Sequence, residues 1–239
     1  MIAAVAAAAT AAPRFRLPPL PPPEEFGIVL ISRSTATGPV KPAAFSHWTH
    51  RLRYTCRVCH LELDFAFKRN ETEITEAANR KGLYCGACHD GKTAFGHTEP
   101  NCGRCHTGSI ASVSPAALKS LPPAKFGNGV DWSAAFAKKL IAPRPALAAG
   151  FEPLALETTL KLEAEWDFVP PAVFPHADHV QWLDCANCHP SIFNIKKKTT
   201  KHFSMQYNLA GDFCGTCHMR VAFPLDDCKR CHPTMKATG

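Results

Sequence analysis

Twelve cysteines and twelve histidines stand among the 239 residues of the chain, and every cysteine falls in one pattern, Cys-x-x-Cys-His. The six copies are Cys56/Cys59/His60, Cys85/Cys88/His89, Cys102/Cys105/His106, Cys185/Cys188/His189, Cys214/Cys217/His218 and Cys228/Cys231/His232. Paired thiols three positions apart serve redox exchange, zinc binding or thioether attachment of haem, and the residue that follows separates these uses. Zinc ribbons and thioredoxin-like sites have no need of histidine at the next position. Here it is present in every copy. At the histidine frequency of this chain, chance places one at a given site about one time in twenty, and six times over about once in a hundred million. A disulfide framework would vary the spacing instead of repeating a five-residue unit. The pattern predicts six covalent haem c groups, each pair of thiols reaching two vinyl groups and each adjacent histidine serving as proximal iron ligand.

Six histidines remain: His47, His50, His97, His176, His179 and His202. Their number equals the number of distal iron positions, which turns them from scattered surface residues into candidate distal ligands. His97 and His202 are the less regular pair. His97 lies between the second and third motifs, whereas His202 precedes the fifth. Met205 competes with His202, and a thioether there would raise that haem's potential relative to paired imidazoles. Met219, directly after His218, reads as packing.

The motifs recur at a fixed offset. A shift of 129 residues carries His47 onto His176, His50 onto His179, Cys56 onto Cys185 and Cys85 onto Cys214, with Phe45-Ser-His-Trp-Thr-His matching Phe174-Pro-His-Ala-Asp-His. The third motif breaks register: Cys102 meets Cys228 at a shift of 126, so the second copy is three residues shorter between its second and third motifs. His97 lies inside the shortened segment. The Phe-x-His-x-x-His lead-in followed by three haem motifs resembles the three-haem c7 class of cytochromes, relatives of the four-haem c3 class, and tandem triheme repeats of multihaem cytochromes. Lys81-Gly-Leu-Tyr-Cys-Gly-Ala-Cys-His-Asp-Gly-Lys-Thr-Ala-Phe95 and Phe126-Gly-Asn-Gly-Val-Asp-Trp132 carry that resemblance, which spans residues 26 to 232. It implies a mostly irregular chain with a few short helices wrapped around stacked haems, and a role in electron transfer. It also implies that His47 and His176 ligate haems one and four, and His50 and His179 haems two and five.

The elements around these motifs are sparse. Twenty-one prolines and fourteen glycines leave little sequence for regular structure, so side-chain packing alone does not fill the interior. Residues 1–12 have the apolar, small-residue character of a secretory signal or its remnant, without a basic start. Residues 13–44 form a proline-rich stretch expected to be an extended arm, not a packed element. The first triheme repeat occupies 45–106 and the second 174–239. Between them, 107–173 is a haem-free connection in which Asp131 is expected to cap a short helix from Trp132 to Ile141. A second short helix is expected over Leu154 to Glu165, with Pro170 and Pro171 closing the connection.

Charge and hydropathy narrow the function. The formal charge of +7 resembles a nucleic-acid signal, but each haem brings about −1 when ferric and −2 when ferrous, so six haems take the total to about +1 or −5. Excess Lys and Arg is then compensation for propionates, and no nucleic-acid partner is expected. No apolar run reaches the length of a transmembrane span. Six-coordinate irons favour electron carriage over catalysis, with a multihaem reductase bearing one open iron as the alternative. Haem attachment takes place outside the cytoplasm, which points to the periplasm or the cell surface. Expected partners are redox proteins or an extracellular acceptor, with a homopolymer such as a filament, or a larger complex, as a further possibility for the arm and connection.

Overall fold

Each structured element is only as long as its local sequence permits before a proline, a glycine or a haem motif interrupts it. The computed structural model describes residues 17–110, 116–196 and 199–236; the expected signal segment 1–12 and residues 13–16 lie outside them. Among the described residues the order is β1 (Ile28–Ile31), β2 (Ala43–Ser46), α1 (His47–Arg51), α2 (Glu76–Arg80), α3 (Cys102–Cys105), α4 (Trp132–Ala137), β3 (Thr159–Leu162), β4 (Ala172–Pro175), α5 (His176–Val180), α6 (Cys185–Cys188), α7 (Met205–Ala210), α8 (Gly215–His218) and α9 (Cys228–Cys231). Single helical turns and two-stranded ribbons are marginal by themselves in water. Tertiary contacts must hold them.

Both copies begin with the same device, a β-hairpin running directly into a short helix. β1 pairs antiparallel with β2, Ile28 opposite Ser46 and Ile31 opposite Ala43. β3 pairs with β4 in the same sense, Thr159 opposite Pro175 and Leu162 opposite Ala172. Each second strand delivers the phenylalanine and two histidines of the lead-in into α1 or α5.

Three expectations need correction. The arm is a packed element in part: Phe26 and Ile28 are buried and β1 is a paired strand, because the run Ile-Val-Leu-Ile, rich in β-branched residues, finds a partner in β2 and the Phe26 ring stacks on Trp48 at 6.1 Å and 7°. The helix after Asp131 ends at Ala137, not Ile141. Lys139 takes a left-handed backbone at φ 55° and turns the chain so that Ile141 enters the core. The helix expected over Leu154–Glu165 does not form. Half-buried Leu160 and Leu162 alternate with exposed Thr159 and Lys161, a period-two pattern that suits a strand, and β4 supplies the partner.

The hydrophobic core gathers Phe26, Ile28, Trp48, Leu118, Trp132, Ala135, Ile141 and Trp182. These residues come from the arm, the first lead-in, the connection and the second copy, so ordinary apolar packing is concentrated where the copies meet. Trp48 is only 1 % exposed, and truncating such a side chain costs about 3–5 kcal/mol.

Candidate haem-attachment sites

Eleven of the twelve histidines are held in one way. Among the six that follow a cysteine pair, His60 Nδ1 donates to the Phe65 carbonyl at 2.8 Å, His89 to Phe95 at 2.9 Å, His106 to Lys41 at 2.7 Å, His189 to Phe193 at 2.7 Å, His218 to Phe223 at 2.8 Å and His232 to Pro170 at 2.6 Å. Outside the motifs, His47 donates to Gly27 at 2.8 Å, His50 to Ser46 at 2.8 Å, His97 to His89 at 2.8 Å, His176 to Thr158 at 2.9 Å and His179 to Pro175 at 2.8 Å. A carbonyl only accepts, so Nδ1 carries a proton in every case, and the neutral ring then has its lone pair on Nε2. That is the tautomer a metal-ligating histidine needs, fixed by the backbone bond that also sets its ring direction.

Burial works in the same direction. It holds His47 and His218 down to about 4 against the opposing pull of their backbone bonds, and depresses His50, His60 and His179 as well. Desolvation disfavours the imidazolium, so these rings are neutral at ordinary pH.

The lead-in phenylalanine sets the two rings beside it. Phe45 meets His47 edge-on at 4.9 Å and 88° and lies against His50 at 4.4 Å and 30°. Phe174 does the same to His176 at 4.9 Å and 90° and to His179 at 4.2 Å and 29°. The outcome is a repeated pairing across each copy. His50 faces His89 and His179 faces His218, both with ring centroids 6.2 Å apart. Two imidazoles on opposite sides of one metal, with metal–nitrogen bonds of about 2.0 Å, have centroids about 6 Å apart.

Backbone contact positions the second motif of each copy. The chain at Gly86 passes so close to the end of α2 that an added Cβ would lie 1.9 Å from the Asn79 carbonyl oxygen, and at Gly215 it would lie 1.8 Å from that of Asn208. Asn79 Oδ1 accepts from Gly86 N at 3.4 Å, and Asn208 Oδ1 from Cys214 N at 3.3 Å. Asn79 and Asn208 were missed as site-building residues, although the offset of 129 relates them; so were the orienting carbonyls of Lys41 and Pro170, related by the same offset.

His202 is the exception. It is exposed, carries no Nδ1 bond to a carbonyl among the described residues, and has a left-handed backbone at φ 59°. Its ring approaches Tyr207 at 6.0 Å. Met205, half-buried at the start of α7, has its Sδ 4.0 Å from Asn208 Nδ2.

All twelve cysteines are unbridged thiols. Burial first, then neighbouring thiols, pushes Cys59, Cys214 and Cys217 up to about 12 and Cys85 to about 11. The neighbours trace the spatial order of the motifs. Cys85 feels Cys105, Cys59 feels Cys88 and Cys85, Cys217 feels Cys56, and Cys214 feels Cys188 and Cys231. Motifs one and four also touch through the backbone: Arg57 N donates to the Trp182 carbonyl at 3.0 Å and Asn187 Nδ2 to the His60 carbonyl at 3.1 Å. Arg57 Nε reaches Asp184 at 3.1 Å while its Nη1 pairs with Glu62.

Donor chemistry and geometry fit haem c: paired thiols, an adjacent imidazole held by its Nδ1 bond and, in two places, a second imidazole facing it. The family described as cytochrome c7 and related cytochrome c matches residues 43–107 and 172–233, more than half of the chain. Among solved structures, the chain is similar to the C-terminal hexaheme fragment of GSU1996, at 28% identity over 89% of this chain and 98% of that one, with a TM-score of 0.29. A c7-type three-heme cytochrome domain is 42% identical over 36% of this chain and 94% of that one, with a TM-score of 0.30. The dodecaheme cytochrome c GSU1996 is 25% identical over 88% and 75% of the two chains, with a TM-score of 0.31. Among curated proteins no sequence matches. The family match, falling on both copies of the lead-in and their motifs, makes this chain a member of the cytochrome c7 family, a multihaem c-type cytochrome and electron carrier.

Proposed function

We propose that the chain holds six haem c groups and carries electrons through them outside the cytoplasm, to and from redox proteins or an extracellular acceptor. Bound haem supplies a one-electron couple; the chain's own work is to fix its position, axial ligation and surroundings. The observation that carries this reading is the uniform Nδ1–carbonyl bond on all six motif histidines and on five of the remaining six. It leaves eleven Nε2 atoms ready as ligands, six proximal and five distal.

In this assignment His50 and His179 serve the second and fifth haems, His47 and His176 the first and fourth, and His97 the third. With both axial positions filled by protein, water and substrates have no open iron, and ligation changes little between redox states. The thiol neighbourhoods support a continuous path from motif three through two and one to five, with four and six beside five. Crossing between copies then starts from the first motif, which borders the fourth through the Arg57–Trp182 and Asn187–His60 bonds and the fifth near Cys217. For the sixth haem we place Met205 ahead of the expected His202: among the described residues His202 lacks the orienting bond that the other histidines have, and the short second copy has no counterpart of His97.

A pyridine haemochrome assay with intact mass is expected to return six haems; four or five would overturn the count. Met205→Ala is expected to open one iron and abolish a red charge-transfer band, while His202→Ala leaves every iron six-coordinate. The reverse result would assign His202.

A further inference from the structure

Arg51 ends α1 with its guanidinium in a cage of three indoles, 5.9 Å from the Trp48 centroid, 5.2 Å from Trp132 and 4.5 Å from Trp182. The indoles belong to the first lead-in, the connection and the second copy. Nη1 donates to the Val221 carbonyl at 2.9 Å, in the segment between motifs five and six. Nε is closed off from solvent and has no hydrogen-bond partner among the described residues. Among the described residues no carboxylate pairs with this side chain.

Enclosing a cation is costly, and aromatic faces compensate it only in part. The backbone places it beside two sites. His47 of the first stands one turn earlier in α1, and Val221, whose carbonyl Arg51 holds, donates its own N–H to the Cys217 carbonyl of the fifth at 2.9 Å. Its electrostatic neighbours agree with that placement, Cys56 and His47 on one side and Cys217 and His218 on the other. One site belongs to each copy. The repeat offers an internal comparison, since Val180 stands at the position of Arg51 in the second copy.

We propose that Arg51 is a positioned, permanent cation that holds the haem sites at Cys56–His60 and Cys214–His218 at higher reduction potentials than their counterparts at Cys185–His189 and Cys85–His89. A nearby positive charge favours the ferrous over the ferric state, because reduction removes one positive charge from the iron. Electrons are thereby drawn to the point where they cross between copies. The inference rests on the haem reading of these motifs.

The test compares full-length, haem-loaded Arg51→Met and Arg51→Lys with the parent. Haem count and low-spin spectrum are checked first, so that failure of the haem reading shows there and not in the potentials. Individual haems are then followed through a redox titration by NMR. A unit charge about 10 Å away, at an effective dielectric of about 20, shifts an equilibrium about tenfold. Arg51→Met is expected to lower the ferrous-to-ferric ratio of the first and fifth haems about tenfold at fixed potential, or about 59 mV each. Arg51→Lys, which keeps the charge and loses the planar stack, is expected to leave both within about twofold. Unmoved potentials in Arg51→Met, an equal shift of all six, or an equal effect of Arg51→Lys would each overturn the proposal. Should Arg51→Met fail to yield holoprotein, stepwise reduction of the parent decides: haem one must fill before haem four and haem five before haem two, and the opposite order overturns it.

Discussion

Three of the six motifs carry glycine directly after the first cysteine, at Gly86, Gly103 and Gly215, and the structure predicts that alanine at these equivalent positions has opposite effects. At Gly86 and Gly215 the new methyl would lie 1.9 and 1.8 Å from a backbone carbonyl oxygen, whereas at Gly103 nothing lies within 4 Å. A methyl carbon and a carbonyl oxygen need more than 3 Å. The end of α2 or α7 must therefore retreat by more than 1 Å, and the Asn79 or Asn208 side chain loses its hold on the motif. Overpacking of this kind costs about 3 kcal/mol. At Gly103, inside the single turn of α3, alanine is expected to be neutral or to stabilise by up to about 1 kcal/mol through helix propensity. Denaturant titration of the holoprotein, followed through the low-spin absorption that reports axial ligation, separates the three variants. The reasoning fails if Gly103→Ala is as damaging as the other two, or if Gly86→Ala and Gly215→Ala both leave the midpoint unchanged.

Two further predictions concern single side chains. Removing either first lead-in histidine, as His47→Ala or His176→Ala, is expected to open one iron while the thioethers keep the haem in place; a high-spin feature and carbon monoxide binding to the ferrous form check it, and a wholly low-spin spectrum contradicts it. Asp131 accepts from Ala134 N at 2.9 Å and pairs with Arg230 at 2.7 Å; burial opposes its charge, but the Arg230 and backbone bonds prevail and hold it below the usual carboxylate range. Asp131→Asn keeps the cap and loses the ion pair, at about 0.5–1 kcal/mol, and Asp131→Ala loses both, at about 2 kcal/mol. Because the folded-state pKa is depressed, the advantage of the parent over Asp131→Asn is complete above the unfolded pKa and vanishes as pH falls through the folded one, which denaturation at a series of acid pH values would show.

Local chemistry was readable in the sequence and tertiary choices were not. Cys-x-x-Cys-His, the lead-in phenylalanine and its two histidines, and the Asp131 cap act within a few residues, so spacing alone exposes them. The end of α4 depends on Ile141 turning into a core whose other members are distant in sequence. Leu160 and Leu162 alternate in a segment that also tolerates helix, and pairing with β4 decides between the two. The packing of Phe26 depends on Trp48, across a loop that composition describes only as proline-rich. Arg51 was invisible for another reason: a lone arginine after a histidine carries no pattern, and only the three indoles around it reveal what it does.

Where the two copies differ follows from where they touch. Groups that would hold or orient haem ligands repeat at the offset of 129, including His47 and His176, His50 and His179, and the accepting carbonyls of Lys41 and Pro170. Groups that join the copies do not repeat. Trp48 corresponds to Ala177, Arg51 to Val180, and Trp182 to Arg53. A repeated unit presents equivalent faces of α1 and α5, but in one chain those faces meet different surroundings. The α1 face, enclosed by the connection and the second copy, is aromatic and cationic. The α5 face carries small and aliphatic residues at Ala177 and Val180. Haem attachment thus constrains the repeated positions in both copies alike, while the junction makes different demands on each copy, and the aromatic core together with its buried cation is the part of this cytochrome that belongs to the pair and not to either repeat alone.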